Sequence, residues 1–166
     1  KSHPDAVGTI GYLGISPNSH NVIPGEVRAT IDLRDPSDAT LDVMEAAVAA
    51  LVRDVAAGIG LGYRLEQISR TAPVIFDPDC IASVRAGAKA AGFSTRDIIS
   101  GAGHDAAHTA LVVPTTMIFV PCAGGLSHNP AESTLPAECA AGATVLLEAV
   151  LDHDRRMAET LAGVGA

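Results

Sequence analysis

The chain has 166 residues and a formal net charge of −8, with 48% hydrophobic and 18% charged residues. This composition is too apolar for a disordered chain, and no apolar run approaches the length that spans a bilayer. The acidic balance argues against nucleic acid and anionic membrane surfaces as partners, because both attract a basic surface. Small molecules and other proteins remain as candidate partners.

The cysteines and the first residues indicate the cellular compartment of the protein and whether the chain is part of a longer one. Three cysteines occur, an odd number without C-x-x-C spacing, which favours a reducing cytoplasm over a disulfide framework or a cysteine zinc site. The first residues contain neither an initiator Met nor the layout of a signal peptide. The sequence therefore predicts a cytoplasmic protein, and a piece of a longer chain.

The first elements are two predicted strands joined by a loop. Residues 7–15 are β-branched and glycine-rich, and a Pro-Gly turn signal at 24–25 precedes a second strand at 26–34. In this second strand apolar and polar residues alternate strictly, which predicts one packed face and one solvated face. Arg34 ends the polar face, and Asn21 lies in the preceding loop.

A helix and a third strand follow. The pair Asp35-Pro36 predicts a helix start, and the glycines at 58 and 60 predict its end, before a strand over 63–69. Strand, strand, helix and strand form a sheet covered by one helix, lacking the opening strand and helix of a complete split β-α-β unit. This α+β region is predicted to end near residues 76–79.

The second half predicts an α/β layer. Asp77-Pro78 starts a helix that Gly92 ends, strands follow at 97–99 and 115–120, and a last helix runs from about Pro136 to Met157. Short apolar strands that alternate with helices are typical of a mostly parallel sheet. The last helix is predicted to turn four side chains inward, namely Leu146, Leu147, Val150 and Leu151.

The segment SGAGHDAAH, residues 100–108, contains two histidines four apart and is similar to the H-E-x-x-H zinc motif with Asp in place of Glu. On a helix both rings would share one face and could reach one zinc ion. The alternative is that the glycine-rich loop holds a substrate group, with His104 as the candidate for chemistry and His108 as a packed or surface residue.

A second motif, GGLSHNPAE at 124–132, follows a predicted strand, where α/β folds place their sites. His128, flanked by paired glycines and a following carboxylate, is a candidate for a single ligand of a shared metal site or for a solvated loop residue. Ser127 departs from the nucleophile elbow G-x-S-x-G, and nothing in the sequence activates Cys122.

The pair of Asn21 and Arg34 is the third candidate. An arginine fork binds a carboxylate in a bidentate manner, and an asparagine amide can donate beside it. Arg34 also stands between Asp32 and Asp35, where a surface ion pair is the ordinary outcome.

Taken in order, the segments PNSHNVIPGEVRATIDLRDP, SGAGHDA and PTTMIFVPCAGGLSHNPAE resemble the zinc-dependent amidohydrolases of the hydantoinase/carbamoylase family. Members include N-carbamoyl-L-amino acid hydrolase, allantoate amidohydrolase and β-ureidopropionase. The resemblance implies cleavage of a ureido or amide C–N bond next to a carboxylate. It covers nearly the whole chain, and it does not distinguish the members.

The resemblance also implies an architecture and residue roles. Residues 1–76 would be most of a ferredoxin-like α+β lid that forms a homodimer, and 77–166 the C-terminal part of a two-metal, aminopeptidase-like α/β catalytic domain. His128 would be a metal ligand, Asn21 and Arg34 would hold the substrate carboxylate, and Gly103 and His104 would contact the substrate. Two zinc or manganese ions would belong to a full-length enzyme, with one ligand in this chain.

The family's other metal ligands and its glutamate base have no counterpart here, so we expect no catalytic residue in this chain and no activity from it alone. Apolar surface left uncovered would favour association. Two alternatives remain, an aminoacylase or dipeptidase-like metallohydrolase and a non-catalytic association module.

Overall fold

The computed structural model describes residues 3–164. Contacts divide the chain into two compact units between Val74 and Ile75. Helices and one small antiparallel sheet give the chain its α/β character. No helix among residues 3–164 combines the length and the apolar composition needed to cross a membrane.

The first unit begins with a β-hairpin. Strands β1 (Val7–Ser16) and β2 (Glu26–Arg34) pair antiparallel from Val7 opposite Arg34 to Ser16 opposite Glu26. A register shift between Ile10 and Tyr12 accommodates one extra residue in β1. The backbone N–H of Gly25 donates to the Ser16 carbonyl at 2.9 Å and closes the loop. The predicted strand at 26–34 is confirmed.

The predicted packed face of β2 is wrong for the described residues. Val27 and Ile31 are 58% and 41% exposed, and only Leu33 on that face is half-buried. Alternation specifies which side chains share a face of a strand, and burial also requires a second layer against that face. The other described residues of this unit cover little of the apolar face of β2.

Helix α1 (Asp38–Ile59) starts later than predicted. Ser37 is the N-cap, its Oγ accepting from Thr40 N at 3.3 Å, while the Asp35 carboxylate accepts from Ser37 N at 2.8 Å. Asp35 therefore shapes the turn before the helix. Gly60 ends the helix with φ 72°, a left-handed conformation that glycine adopts without a steric penalty.

The predicted strand at 63–69 is wrong, because this segment forms no strand ladder with any described residue. The segment after α1 is held instead by ion pairs. The Arg70 guanidinium lies 2.7 Å from Asp38 Oδ1, 2.7 Å from Asp42 Oδ1 and 3.0 Å from Glu45 Oε2. Three carboxylates on the first two turns of α1 thus fix the return of the chain.

The second unit contains helices α2 (Pro78–Ala90), α3 (Asp105–Thr109) and α4 (Pro136–Val164), with a 3-10 turn at Ala123–Gly125. Asp77 caps α2 as predicted, its Oδ1 accepting from Asp79 N at 3.0 Å and Cys80 N at 2.8 Å. The predicted strands at 97–99 and 115–120 are wrong for the described residues. The backbone N–H of Asp77 donates to the Thr115 carbonyl at 2.9 Å, without forming a strand ladder.

Small residues form the contact between α2 and α4. Ala88 is fully buried, and Val145 and Ala149 are 7% and 6% exposed. A Cβ on Gly87 would lie 2.7 Å from the backbone N of Ala149, so glycine alone permits this close approach. The predicted inward side chains are wrong, since Leu146, Leu147, Val150 and Leu151 are 48–59% exposed.

The buried and half-buried positions of α4 recur at 145, 148, 149 and 152, which is one face of a helix, and the four exposed side chains lie on its other faces. Large apolar side chains are exposed in both units, among them Ile23 at 91%, Ile68 at 85% and Ile75 at 91%. Uncovered apolar surface of this kind was expected from the sequence.

Candidate functional site

The loop that carries His128 is closed at its base. The backbone N–H of Ala123 donates to the Ser133 carbonyl at 2.8 Å, and Thr134 Oγ1 donates to the Pro121 carbonyl at 2.5 Å. Two glycines at positive φ, Gly124 at 64° and Gly125 at 66°, turn the chain into the loop. The sequence folds this way because glycine tolerates two successive left-handed residues.

His128 itself has φ 56°, a conformation uncommon for a residue with a side chain. Its backbone N–H donates to Glu132 Oε2 at 3.1 Å, and the Asn129 side chain accepts from Ala131 N at 2.9 Å. The His128 imidazole is exposed, and no residue within 3–164 bonds to it. The loop thus presents an imidazole whose two ring nitrogens are uncommitted.

The described residues do not make a metal site by themselves. No group of three or more His, Cys, Asp or Glu side chains within 3–164 could hold a metal ion. A structural or catalytic zinc site takes at least three protein ligands, and His128 offers one donor. The part of the chain that the structure describes therefore does not complete a metal site by itself.

The two histidines of the zinc-like motif are not equivalent. His104 has extended backbone angles, φ −147° and ψ 152°, and is the N-cap of α3, with Nδ1 accepting from Ala106 N at 3.0 Å. His108 lies inside the helix and is exposed. The two rings do not extend from successive turns of one helix, and His104 Nδ1 is already occupied. The zinc-helix alternative is not supported by this geometry.

Gly103, directly before this cap, stands in open space, since a Cβ there would meet no atom within 4 Å. Together with the exposed His104 it forms an accessible strip of backbone and imidazole. Cys122 has a structural contact, its Sγ donating to the Leu126 carbonyl at 3.1 Å across the turn. No contact in the described residues gives this thiol a general base.

Asn21 and Arg34 each have a partner in the first unit. Asn21 Oδ1 accepts from Ser19 Oγ at 2.9 Å, and Arg34 Nε donates to Asp32 Oδ2 at 3.0 Å. This hydrogen bond raises the pKa of the Arg34 guanidinium and lowers that of the Asp32 carboxyl. Both pairs are exposed, so the side chains can exchange these partners for a ligand at little cost.

The structure does not bring Asn21 and Arg34 together. Arg34 pairs with Val7 at one end of the hairpin, whereas Asn21 lies in the loop beyond Ser16 and Glu26 at the other end. Eight residue steps along β2 advance about 26 Å at the rise of an extended strand. Asn21 and Arg34 of the same chain are therefore too far apart to bind one small carboxylate together.

One functional contact was missed from the sequence, the bond between the His128 backbone and the Glu132 carboxylate. The signal is present as a carboxylate four residues after the histidine, in the turn-forming run His-Asn-Pro-Ala-Glu. From the sequence, that carboxylate was noted only as a neighbour of the candidate ligand His128. The structure uses it to hold the loop backbone.

The profile of Peptidase family M20/M25/M40 matches residues 5–152, and the chain belongs to this family.

Within this family, the chain is similar to several amidohydrolases. The chain is 46% identical over 152 residues to N-carbamoyl-L-amino-acid amidohydrolase of Rhizobium meliloti, which covers 92% of this chain and 36% of that protein. It is 34% identical over 140 residues to allantoate amidohydrolase of Bacillus subtilis (strain 168), covering 84% and 34%. The crystal structure of an amidase of the hydantoinase/carbamoylase family from Burkholderia multivorans matches with TM-score 0.85 and 50% identity, covering 90% and 36%.

These matches confirm the resemblance identified from the sequence. The chain spans only about a third of the length of each relative.

Proposed function

We propose that this chain is part of a metal-dependent amidohydrolase that cleaves the C–N bond of a ureido substrate bearing a carboxylate, an N-carbamoyl-L-amino acid or allantoate. The observation that carries the proposal is the similarity to an N-carbamoyl-L-amino-acid amidohydrolase over 92% of the chain and to an allantoate amidohydrolase over 84%. The exposed His128, held on a closed loop, supports it from the geometry.

The catalytic contribution of this chain would be one metal ligand. His128 would offer one imidazole nitrogen to a two-metal centre, of zinc or manganese, that activates water and polarises the scissile carbonyl when bound. The remaining ligands and the general base would have to come from outside the described residues, which contain no ligand cluster. We therefore expect the 166-residue chain alone to be inactive.

The substrate contacts would come from both units, 1–76 serving as a lid and 77–166 as the C-terminal part of the catalytic domain. Gly103 and His104 would contact the substrate from the second unit, where both are accessible. Asn21 and Arg34 would bind its carboxylate. Asn21 and Arg34 lie at opposite ends of one hairpin. A single carboxylate bound by both would therefore contact Asn21 of one chain and Arg34 of a second chain. This geometry favours a homodimer formed through the first unit.

A chimera tests the proposal. In the Rhizobium meliloti enzyme, the segment that aligns with this chain is replaced by this chain, and hydrolysis of N-carbamoyl and N-acetyl forms of the same L-amino acid is compared. The proposal expects the chimera to favour the N-carbamoyl form, with no hydrolysis by the isolated chain.

Preference of the folded chimera for the N-acetyl form would support an aminoacylase-like enzyme instead. A folded, dimeric chimera without any hydrolysis would favour a non-catalytic association module. The unmodified Rhizobium meliloti enzyme, assayed in parallel, is the control.

A further inference from the structure

Gly142 lies inside helix α4, and the side chain of Val120 packs directly against it. A Cβ at Gly142 would lie 2.5 Å from Val120 Cγ1, which is a clash, and both residues are half-buried. Glycine is a poor helix former, and a Cβ at Gly163, the other glycine of α4, would meet nothing within 4 Å. Gly142 is therefore the residue that lets the segment before the His128 loop dock on α4.

Both stems of the His128 loop are tied to the same helix. The leading stem docks on α4 through the contact between Val120 and Gly142. The returning stem runs directly into α4, which begins at Pro136. The two hydrogen bonds at the base of the loop join the residues after Val120 to the residues before Pro136. The position of the loop base is thus set by α4.

We infer that Gly142 is a positioning residue for His128, since by admitting Val120 it fixes the loop base from which the imidazole reaches a metal centre. The metal centre in this inference rests on the proposed function. Valine carries two methyl groups on Cβ and has little freedom to rotate away, so a Cβ at position 142 must displace the backbone at Val120. The bonds at the loop base then transmit that displacement towards His128, eight residues further on.

Hydrogen exchange in the 166-residue chain tests the docking. The amide of Ala123 reports on the loop base, because it donates to the Ser133 carbonyl at 2.8 Å. Gly142→Ala introduces the clash and Val120→Ala leaves a gap at the same contact, so each should make this amide exchange several-fold faster through local opening. In the double variant the new Cβ fills the gap, and we expect the exchange rate of the unmodified chain.

Gly87→Ala is the matched control, since it adds the same Cβ between α2 and α4 but against backbone atoms of α4 and not against Val120. It should leave the exchange of the Ala123 amide unchanged. If Gly142→Ala does not fold, Val120→Ala and the double variant still decide the outcome.

The zinc affinity of the chimera, measured by competition with a chelator, tests the consequence for the ligand. Gly142→Ala should weaken zinc binding about tenfold, the lower end of the loss for groups behind a metal ligand, and the double variant with Val120→Ala should recover it. Gly87→Ala should leave the zinc affinity unchanged. Added to His128→Ala, Gly142→Ala should cause no further loss, because it acts through that side chain.

Unchanged exchange of the Ala123 amide in both single variants, or no recovery in the double variant, would overturn the docking. An equal loss of zinc affinity in Gly87→Ala, or a further loss on top of His128→Ala, would overturn the positioning role. A folded chimera that binds no zinc would contradict the proposed function and the metal part of this inference together. Exchange in the 166-residue chain would then still decide whether Gly142 fixes the loop base.

Discussion

The backbone N–H of His128 donates to the Glu132 carboxylate, with N and Oε2 3.1 Å apart. This bond spans the Asn-Pro turn and holds His128 at φ 56°. Left-handed backbone is unfavourable for a residue with a Cβ, so surrounding contacts must maintain it. Glu132 therefore fixes the direction in which the loop presents the imidazole.

Replacing Glu132 by Ala should loosen this loop without unfolding the second unit. We expect the His128 amide to exchange with solvent about tenfold faster, because one hydrogen bond that closes the turn is lost. Glu132→Gln keeps an acceptor oxygen and should retain most of the protection. Equal exchange rates in the Ala variant and the unmodified chain would show that the carboxylate does not hold the loop.

Gly87→Ala should destabilise the packing of α2 on α4. The added Cβ would lie 2.7 Å from Ala149 N and 3.0 Å from Val145 O, both backbone atoms that cannot rotate away. Overpacking lowers the free energy of unfolding by about 1–3 kcal/mol, whereas replacing glycine by alanine in a helix raises it by about 1 kcal/mol. Because the contacting atoms belong to the backbone and cannot move aside, we expect a net loss of stability. The free energy of unfolding from urea titration measures the difference.

Gly163→Ala is the control for this substitution, because a Cβ at Gly163 in α4 meets nothing within 4 Å. It should leave the stability of the second unit unchanged or slightly raised. Equal behaviour of the two variants would contradict the close helix crossing.

Arg70→Ala should release the segment that follows α1. The guanidinium bonds to three carboxylates on that helix, and Asp38 contributes most to raising the pKa of Arg70. We expect limited proteolysis within 61–74 to become several-fold faster, and added salt to produce a similar change in the unmodified chain. Arg64→Ala, which removes an exposed pair with Glu66, should have little effect.

The Asp77 cap should make the second unit sensitive to acid. The backbone N–H of Cys80, joined by that of Asp79, donates to the carboxylate and holds the pKa of Asp77 below its ordinary value. The stabilisation is present above the ordinary aspartate pKa of about 4 and is lost as pH falls through the lower folded value. Circular dichroism against pH should show Asp77→Asn losing this part of the acid transition.

An unchanged acid transition in Asp77→Asn would mean that other carboxylates govern acid unfolding of this unit. Asp97 is the comparison, since Arg85 lowers its pKa as well while it caps no helix.

Local signals predicted the parts of this fold that are locally determined. Strict alternation located β2, and Asp77-Pro78 with Gly92 located α2, because pairing periodicity, an acceptor cap and a left-handed glycine act within a few residues. The strands predicted at 63–69, 97–99 and 115–120 failed for a different reason. A strand exists only with a hydrogen-bonded neighbour, and apolar sequence does not guarantee one.

In the candidate site, too, the sequence identified residues but not the contacts that position them. The sequence singled out His104 and His128, but it did not predict the capping bond from Ala106 N to His104 or the bond from the left-handed backbone of His128 to Glu132. The separation of Asn21 from Arg34 follows from the hairpin register. Sequence spacing of thirteen residues does not reveal it.

The most direct test of the account is the kcat/KM of the chimera for an N-carbamoyl-L-amino acid after His128→Ala and, separately, after His108→Ala. If the His128 loop supplies the metal ligand, the first variant should lose more than about 100-fold, since even groups behind a ligand cost 10–100-fold. The His108 variant should keep nearly full activity. Loss of activity in His108→Ala with retention in His128→Ala would contradict the account and restore the zinc-helix alternative.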